Sequence, residues 1–114
     1  MILVIAEQRD GALNQASLET VAAAQQMSDL VQGPVKVVLA GGSVSGLSGV
    51  LAAADIAEVL TVESEALATY TVDGFVDALA QVIAAEGPDL VLFPHTYQTR
   101  DYAPKLATRL KEYL

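Results

Sequence analysis

Four short, mostly aliphatic runs constrain this chain more than anything else in it: Ile2–Ala6, Val35–Ala40, Glu58–Val62 and Leu90–Phe93. Each is too short to cross a membrane or to make a globular helix. None shows the strict apolar–polar alternation of a strand with one face in water. A strand that is apolar on both sides must be covered on both sides, which is the situation of a parallel sheet between helices. The segments between the runs meet that demand. Asn14 is placed to cap a helix to about Val31, with an imperfect stripe of Leu13, Ser17, Leu18, Val21, Ala22, Ala24, Met27 and Leu30, stopped by Gly33–Pro34. A turn is expected at Asp10–Gly11 and a short alanine-rich helix after the second run. Thr71 or Asp73 caps a helix carrying Phe75, Val76, Leu79, Val82 and Ile83 that ends at Gly87–Pro88. A last helix spans Asp101–Tyr113. The order β-α-β-α-β-α-β-α predicts a doubly wound, mostly parallel α/β sheet with helices on both faces, one domain over residues 1–114. Four strands are visible, and the doubly wound pattern leads one to expect a closing strand after the last helix that these residues do not supply. The bare sheet edge this would leave predicts strand exchange, a homodimer through that edge, or a marginally stable domain.

Composition removes several function classes. Fourteen acids against six bases give a net charge of −8, with no basic stripe for a nucleic acid. There is no cysteine, so disulfides and thiolate chemistry are excluded, and a single histidine without cysteine argues against a structural zinc site. "MILVIAEQRD" lacks the basic flank and the length of a signal peptide or membrane span, and no presequence is seen; the expected location is cytoplasmic.

Two stretches invite a chemical reading. "AGGSVSGLSG" places Gly41, Gly42, Gly46 and Gly49 between a strand and a helix, where backbone N–H groups attract anions. Their spacing is not the dinucleotide fingerprint, the loop follows the second strand rather than the first, and no Gly-Lys-Ser/Thr is present. A permissive turn with close packing is the expectation. "PHTYQTRD" holds His95, which Asp101 or Glu7 could orient as a general base, although nothing in the spacing compels it. The structural expectation is a strand-to-helix connection: Asp101 caps the last helix, Pro104 falls in its first turn, and Leu106, Ala107 and Leu110 form the buried stripe with Lys105, Arg109 and Lys111 outside. Arg100 is expected to pair with a nearby acid.

In order along the chain, "ILVIAEQRDGALNQASLETVAAAQQM", "VKVVLAGG" and "DLVLFPHTYQTRDYAPKLATRL" resemble the N-terminal domain of the electron transfer flavoprotein alpha subunit. The family opens with a strand of the type "LVIAEH" and a helix beginning "LNPATLE". It places "VLAG" on the second strand, and it closes this region with an Arg-Asp or Lys-Asp pair followed by "L/A-P-R/K-L/V-A". Ile2–Glu7, Leu13–Thr20, Val37–Gly41 and Pro94–Leu110 match in register. The resemblance implies a fold of the adenine nucleotide alpha hydrolase-like type. It implies a scaffold that assembles with a beta subunit, in a parent that carries electrons on FAD from flavin dehydrogenases to a downstream acceptor. It implies a chain truncated before the FAD domain, so no FAD contact falls on any residue here, and no catalysis by this stretch alone. The related domain of the beta subunit binds AMP. By that likeness Ala6, Gly41, Thr96, Gln98, Thr99 and Arg100 are the candidates for a vestigial nucleotide crevice. The alternative is a free-standing AMP- or ATP-binding module of the universal stress protein type. Such proteins carry a glycine-rich run after their late strand, and "PHTYQTRDYAPKL" has no glycine.

Overall fold

A computed structural model describes residues 1–9, 12–31, 33–42 and 56–111. The readings at Asp10–Gly11, Gly46, Gly49, the alanine-rich helix and Tyr113 lie outside the described residues. In chain order the elements are β1 (Ile2–Ala6), β2 (Gln8–Arg9), β3 (Ala12–Leu13), α1 (Gln15–Val31), β4 (Val35–Gly41), β5 (Glu58–Glu63), a 3-10 turn (Glu65–Leu67), α2 (Val72–Glu86), β6 (Leu90–Leu92) and α3 (Tyr97–Lys111).

The main sheet has the order β5-β4-β1-β6 and is parallel throughout. Alternation along β1 sorts the core into two layers. Ile2, Val4 and Ala6 join Val35, Val37 and Leu39 of β4 against Val21 and Ala24 of α1. Leu3 and Ile5 join Val38 and Ala40 against Val76, Leu79, Ala80 and Ile83 of α2 and Tyr102 and Leu106 of α3. Helices therefore cover both faces, as strands apolar on both sides require.

The helix ends follow from their caps. The Asn14 side chain accepts from the Ser17 N–H at 2.8 Å, and Thr71, not Asp73, accepts from the Gly74 N–H at 3.1 Å. Gly87 ends α2 at φ 57°, a left-handed conformation that glycine adopts without a Cβ penalty. The stripe of α1 is narrower than its sequence suggests. Ser17, Val21 and Ala24 are buried, while Ala22 is exposed and Leu18 and Leu30 are 41% and 84% exposed.

Helix α3 departs furthest from expectation. It begins at Tyr97, four residues before Asp101, because Thr96 is the cap: its hydroxyl accepts from the Thr99 N–H at 3.1 Å. Asp101 is a helical residue whose carboxylate accepts from the Tyr70 hydroxyl at 2.8 Å. Pro104 lies about two turns inside the helix, where it removes one backbone hydrogen bond. The buried positions are Thr99, Tyr102 and Leu106; Ala107 is exposed and Leu110 half-buried.

Candidate functional site at the carboxyl edge of the sheet

The chain runs outward from β1 to β4 to β5, then returns across the sheet to place β6 on the other side of β1. The order reverses between β1 and β6. Folds of this type take their ligands outside the carboxyl ends of the strands at that reversal. Glu7 leaves β1 there, and Thr96 follows β6 there.

Glu7 is the centre of the crevice. One carboxylate oxygen accepts from the Thr96 hydroxyl at 2.7 Å and the other from the Asn14 amide at 2.6 Å. The backbone of the same residue is held as firmly. Its N–H donates to the Ser17 hydroxyl at 2.7 Å, and its carbonyl accepts from that hydroxyl at 3.1 Å. Ser17 is 1% exposed, so these bonds satisfy a hydroxyl buried in an otherwise apolar stripe. Asn14 and Thr96 are also the caps of α1 and α3. The N-termini of α1 and α3 are therefore joined, through their caps, to one carboxylate from the chain itself. Thr99 adds a hydroxyl 3.1 Å from that of Thr96. Below it, burial pushes the Tyr102 phenol up to about 12, against a smaller opposing pull from its hydrogen bond to Thr99 and with a further push from the Glu7 charge.

The remaining expected residues fall around this point. Ala6 ends β1 immediately before Glu7. Gly41 ends β4, and its carbonyl accepts from the Ser64 N–H at 3.1 Å. Gly42 follows, and a Cβ there would stand 2.6 Å from the Ala68 Cβ and 2.8 Å from its Cα, so close packing does require a glycine. Gln98 turns away from Thr96 and lines a cleft of about 570 Å³ with Gln8, Arg9, Leu67, Ala68, Tyr70, Phe75, Tyr97 and Asp101. In that cleft Tyr70 meets Phe75 edge to face, with centroids 5.0 Å apart. Burial, and then the Asp101 carboxylate that accepts its hydroxyl, push the Tyr70 phenol above its ordinary range.

His95 does not meet either proposed orienting acid. Asp101 is engaged by Tyr70, and Glu7 by Asn14 and Thr96. His95 is exposed, and its Nε2 accepts from the Arg100 guanidinium at 2.6 Å. Arg100 thus takes an imidazole, not an acid, as its hydrogen-bonding partner, and lies over the Tyr97 ring with its guanidinium carbon 5.8 Å from the centroid. An imidazole that lends its lone pair to a cation is not arranged to abstract a proton. Among the described residues no cluster of His, Cys, Asp and Glu could hold a metal ion, and no helix is long and apolar enough to cross a membrane.

Reading the residues singly missed Glu7 as the organising group. Its partners stand 7, 10 and 89 positions away, so no local spacing advertises it.

Comparison with known proteins adds an independent line. Residues 2–112 match the model of the electron transfer flavoprotein domain. The chain is 39% identical over 110 residues to the electron transfer flavoprotein subunit alpha of Bacillus subtilis, covering 96% of this chain and 33% of that protein. It is 32% identical to the subunit alpha of Thermoanaerobacterium thermosaccharolyticum, covering 96% and 33%. It is 28% identical to the acryloyl-CoA reductase electron transfer subunit beta of Anaerotignum propionicum, covering 96% and 30%. The chain spans about a third of the length of the curated relatives it matches.

Proposed function

The chain belongs to the electron transfer flavoprotein domain family, and on that premise we propose that it is the N-terminal scaffold and assembly domain of an alpha subunit. The parent carries electrons on FAD from flavin dehydrogenases to a downstream acceptor in the cytoplasm. This stretch contributes assembly with a beta subunit and neither the redox step nor a catalysed reaction. The free outer edge of β6 offers a second assembly, a homodimer.

The observation that carries the reading is the state of the crevice. A nucleotide bound there would set its phosphates against the N-termini of α1 and α3, and those already share the Glu7 carboxylate through Asn14 and Thr96. A phosphate would have to displace a charged group tethered in place, and it would meet like charge on the way. On this reading the described residues around Glu7 do not suit a nucleotide or the pyrophosphate of FAD, and no FAD contact is assigned to them.

The test is a melting experiment on the purified chain with AMP, ADP, ATP and FAD, beside co-expression with an electron transfer flavoprotein beta subunit. The expected result is no saturable rise in Tm with any nucleotide and a one-to-one complex with the beta subunit. A ligand bound by the folded state alone raises Tm by mass action, so a saturable rise with AMP or ATP would overturn the reading in favour of a free-standing nucleotide module.

A further inference from the structure

The six bases of this chain are not disposed alike. Lys36 pairs with Glu58 and Glu86, Lys105 with Asp73, and Arg109 with Asp77. Lys111 lies in the last turn of α3, where the helix dipole favours a cation. Arg9 and Arg100 are left with no carboxylate partner among the described residues, in a chain of net charge −8. Both stand at the carboxyl edge of the sheet, on either side of Tyr97. Arg9 and Tyr97 line one cleft, while Arg100 lies over the Tyr97 ring and is held there by His95. Tyr97 is 88% exposed, the most exposed large apolar side chain of the described residues.

An exposed tyrosine between two arginines has the chemistry of a protein-docking centre, since tyrosine and arginine dominate the energetics of interfaces. The arrangement is also prepared in advance. His95 takes one N–H of Arg100 and the guanidinium carbon stands within cation–π range of the Tyr97 ring, so part of the ordering cost is met before the other N–H groups meet a carboxylate. Of the described acids nearest the patch, both have partners within the chain, although Asp101 shares the cleft with Arg9 and Tyr97. Glu7 is turned inward onto Asn14 and Thr96, and Asp101 onto Tyr70.

We propose that Arg9, Tyr97 and Arg100 form a docking surface for a carboxylate-rich segment of a partner protein. The arginines pair with acidic side chains and Tyr97 packs between them. The inference rests on the reading of this chain as an assembly domain and names the face that assembles. Small phosphates are a different occupant, and the test separates them.

The experiment is a titration of the full chain with a glutamate-rich peptide at low salt, followed residue by residue through backbone amide NMR shifts. Shifts are expected at Gln8–Arg9 and at Thr96–Asp101, with affinity falling at least about tenfold on raising salt from 50 to 300 mM. Arg9→Glu with Arg100→Glu should weaken binding at least about tenfold, and Tyr97→Ala by a similar factor, each being a surface change at a group with little packing to lose. Lys111→Glu alters net charge away from the patch and should change affinity less than about twofold. Equal loss with Lys111→Glu, shifts elsewhere, or inorganic phosphate moving the same amides as strongly as the peptide would each overturn the proposal. The peptide reports on this surface without the beta subunit. A chain that binds the peptide but not the beta subunit would leave this surface standing and remove the assembly reading.

Discussion

Ser17 has one hydroxyl to give and both bonds it makes go to the backbone of Glu7, which is what lets a polar residue sit fully buried on the core side of α1. Ser17→Ala should therefore lower unfolding stability by about 1–3 kcal/mol, read as a lower urea midpoint with unchanged slope, because it strands the Glu7 N–H. Tyr102 supplies a pH dependence of known sign. Its folded value of about 12 lies above the ordinary value of 10.0, so the unfolded chain releases this proton first. The contribution is complete below pH 10 and is lost as pH rises from there through 12, a fall of roughly 2 kcal/mol for this group. Urea midpoints of wild type and Tyr102→Phe at pH 9 and 11.5 should show a shallower alkaline loss in the variant. Neither residue's role was legible locally. Ser17 reads as one more small residue in a stripe, and Tyr102 as a late aromatic, until β1 and α3 are brought together.

At the scale of elements, the four strands of the main sheet could be read from their aliphatic runs to within a residue, whereas the short β2–β3 pair, largely outside the core, carried no such signal. The start of α3 could not be read either. Asp101 looks like a cap and Pro104 looks like a first-turn residue, and each impression reinforces the other. In fact Thr96 caps the helix, and Pro104 is tolerated inside it on the exposed side. Pro104→Ala should return an N–H to the Arg100 carbonyl and remove little packing, so Tm should rise, with a gain of about 1–3 kcal/mol in a chemical melt. Gly42→Ala should act in the opposite sense. Its new Cβ would press on the backbone of Ala68, and β4 or the turn after β5 would have to shift, at about 1–3 kcal/mol. A Tm unchanged by Gly42→Ala would mean that this contact yields freely.

For the whole molecule, the sheet has two ends of different character. β5 carries Glu58 and Glu63 at its ends and mixes exposed with half-buried positions, as befits a guarded edge. β6 is half-buried along its length, with an apolar groove of about 410 Å³ beside it, lined by Ile83, Ala84, Pro88, Leu90, Val91 and Leu110 among others. The Asp89 N–H donates to Met1, so strand alternation turns the N–H groups of Leu90 and Leu92 to the free side. If a second copy covers that edge, light scattering will show mass rising toward twice the monomer value with concentration, and hydrogen exchange at those two amides will slow in step. The doubly wound topology and its two helical layers were foreseeable from residue pattern; the inward turn of Glu7 was not, because it joins β1 to a cap at the far end of the chain. That turn has a consequence for supply. A carboxylate bound to its own polypeptide cannot be diluted away, since its effective concentration at the caps is fixed by the chain. The anion that joins the two caps is supplied by the chain itself, at a fixed ratio of one carboxylate to the pair.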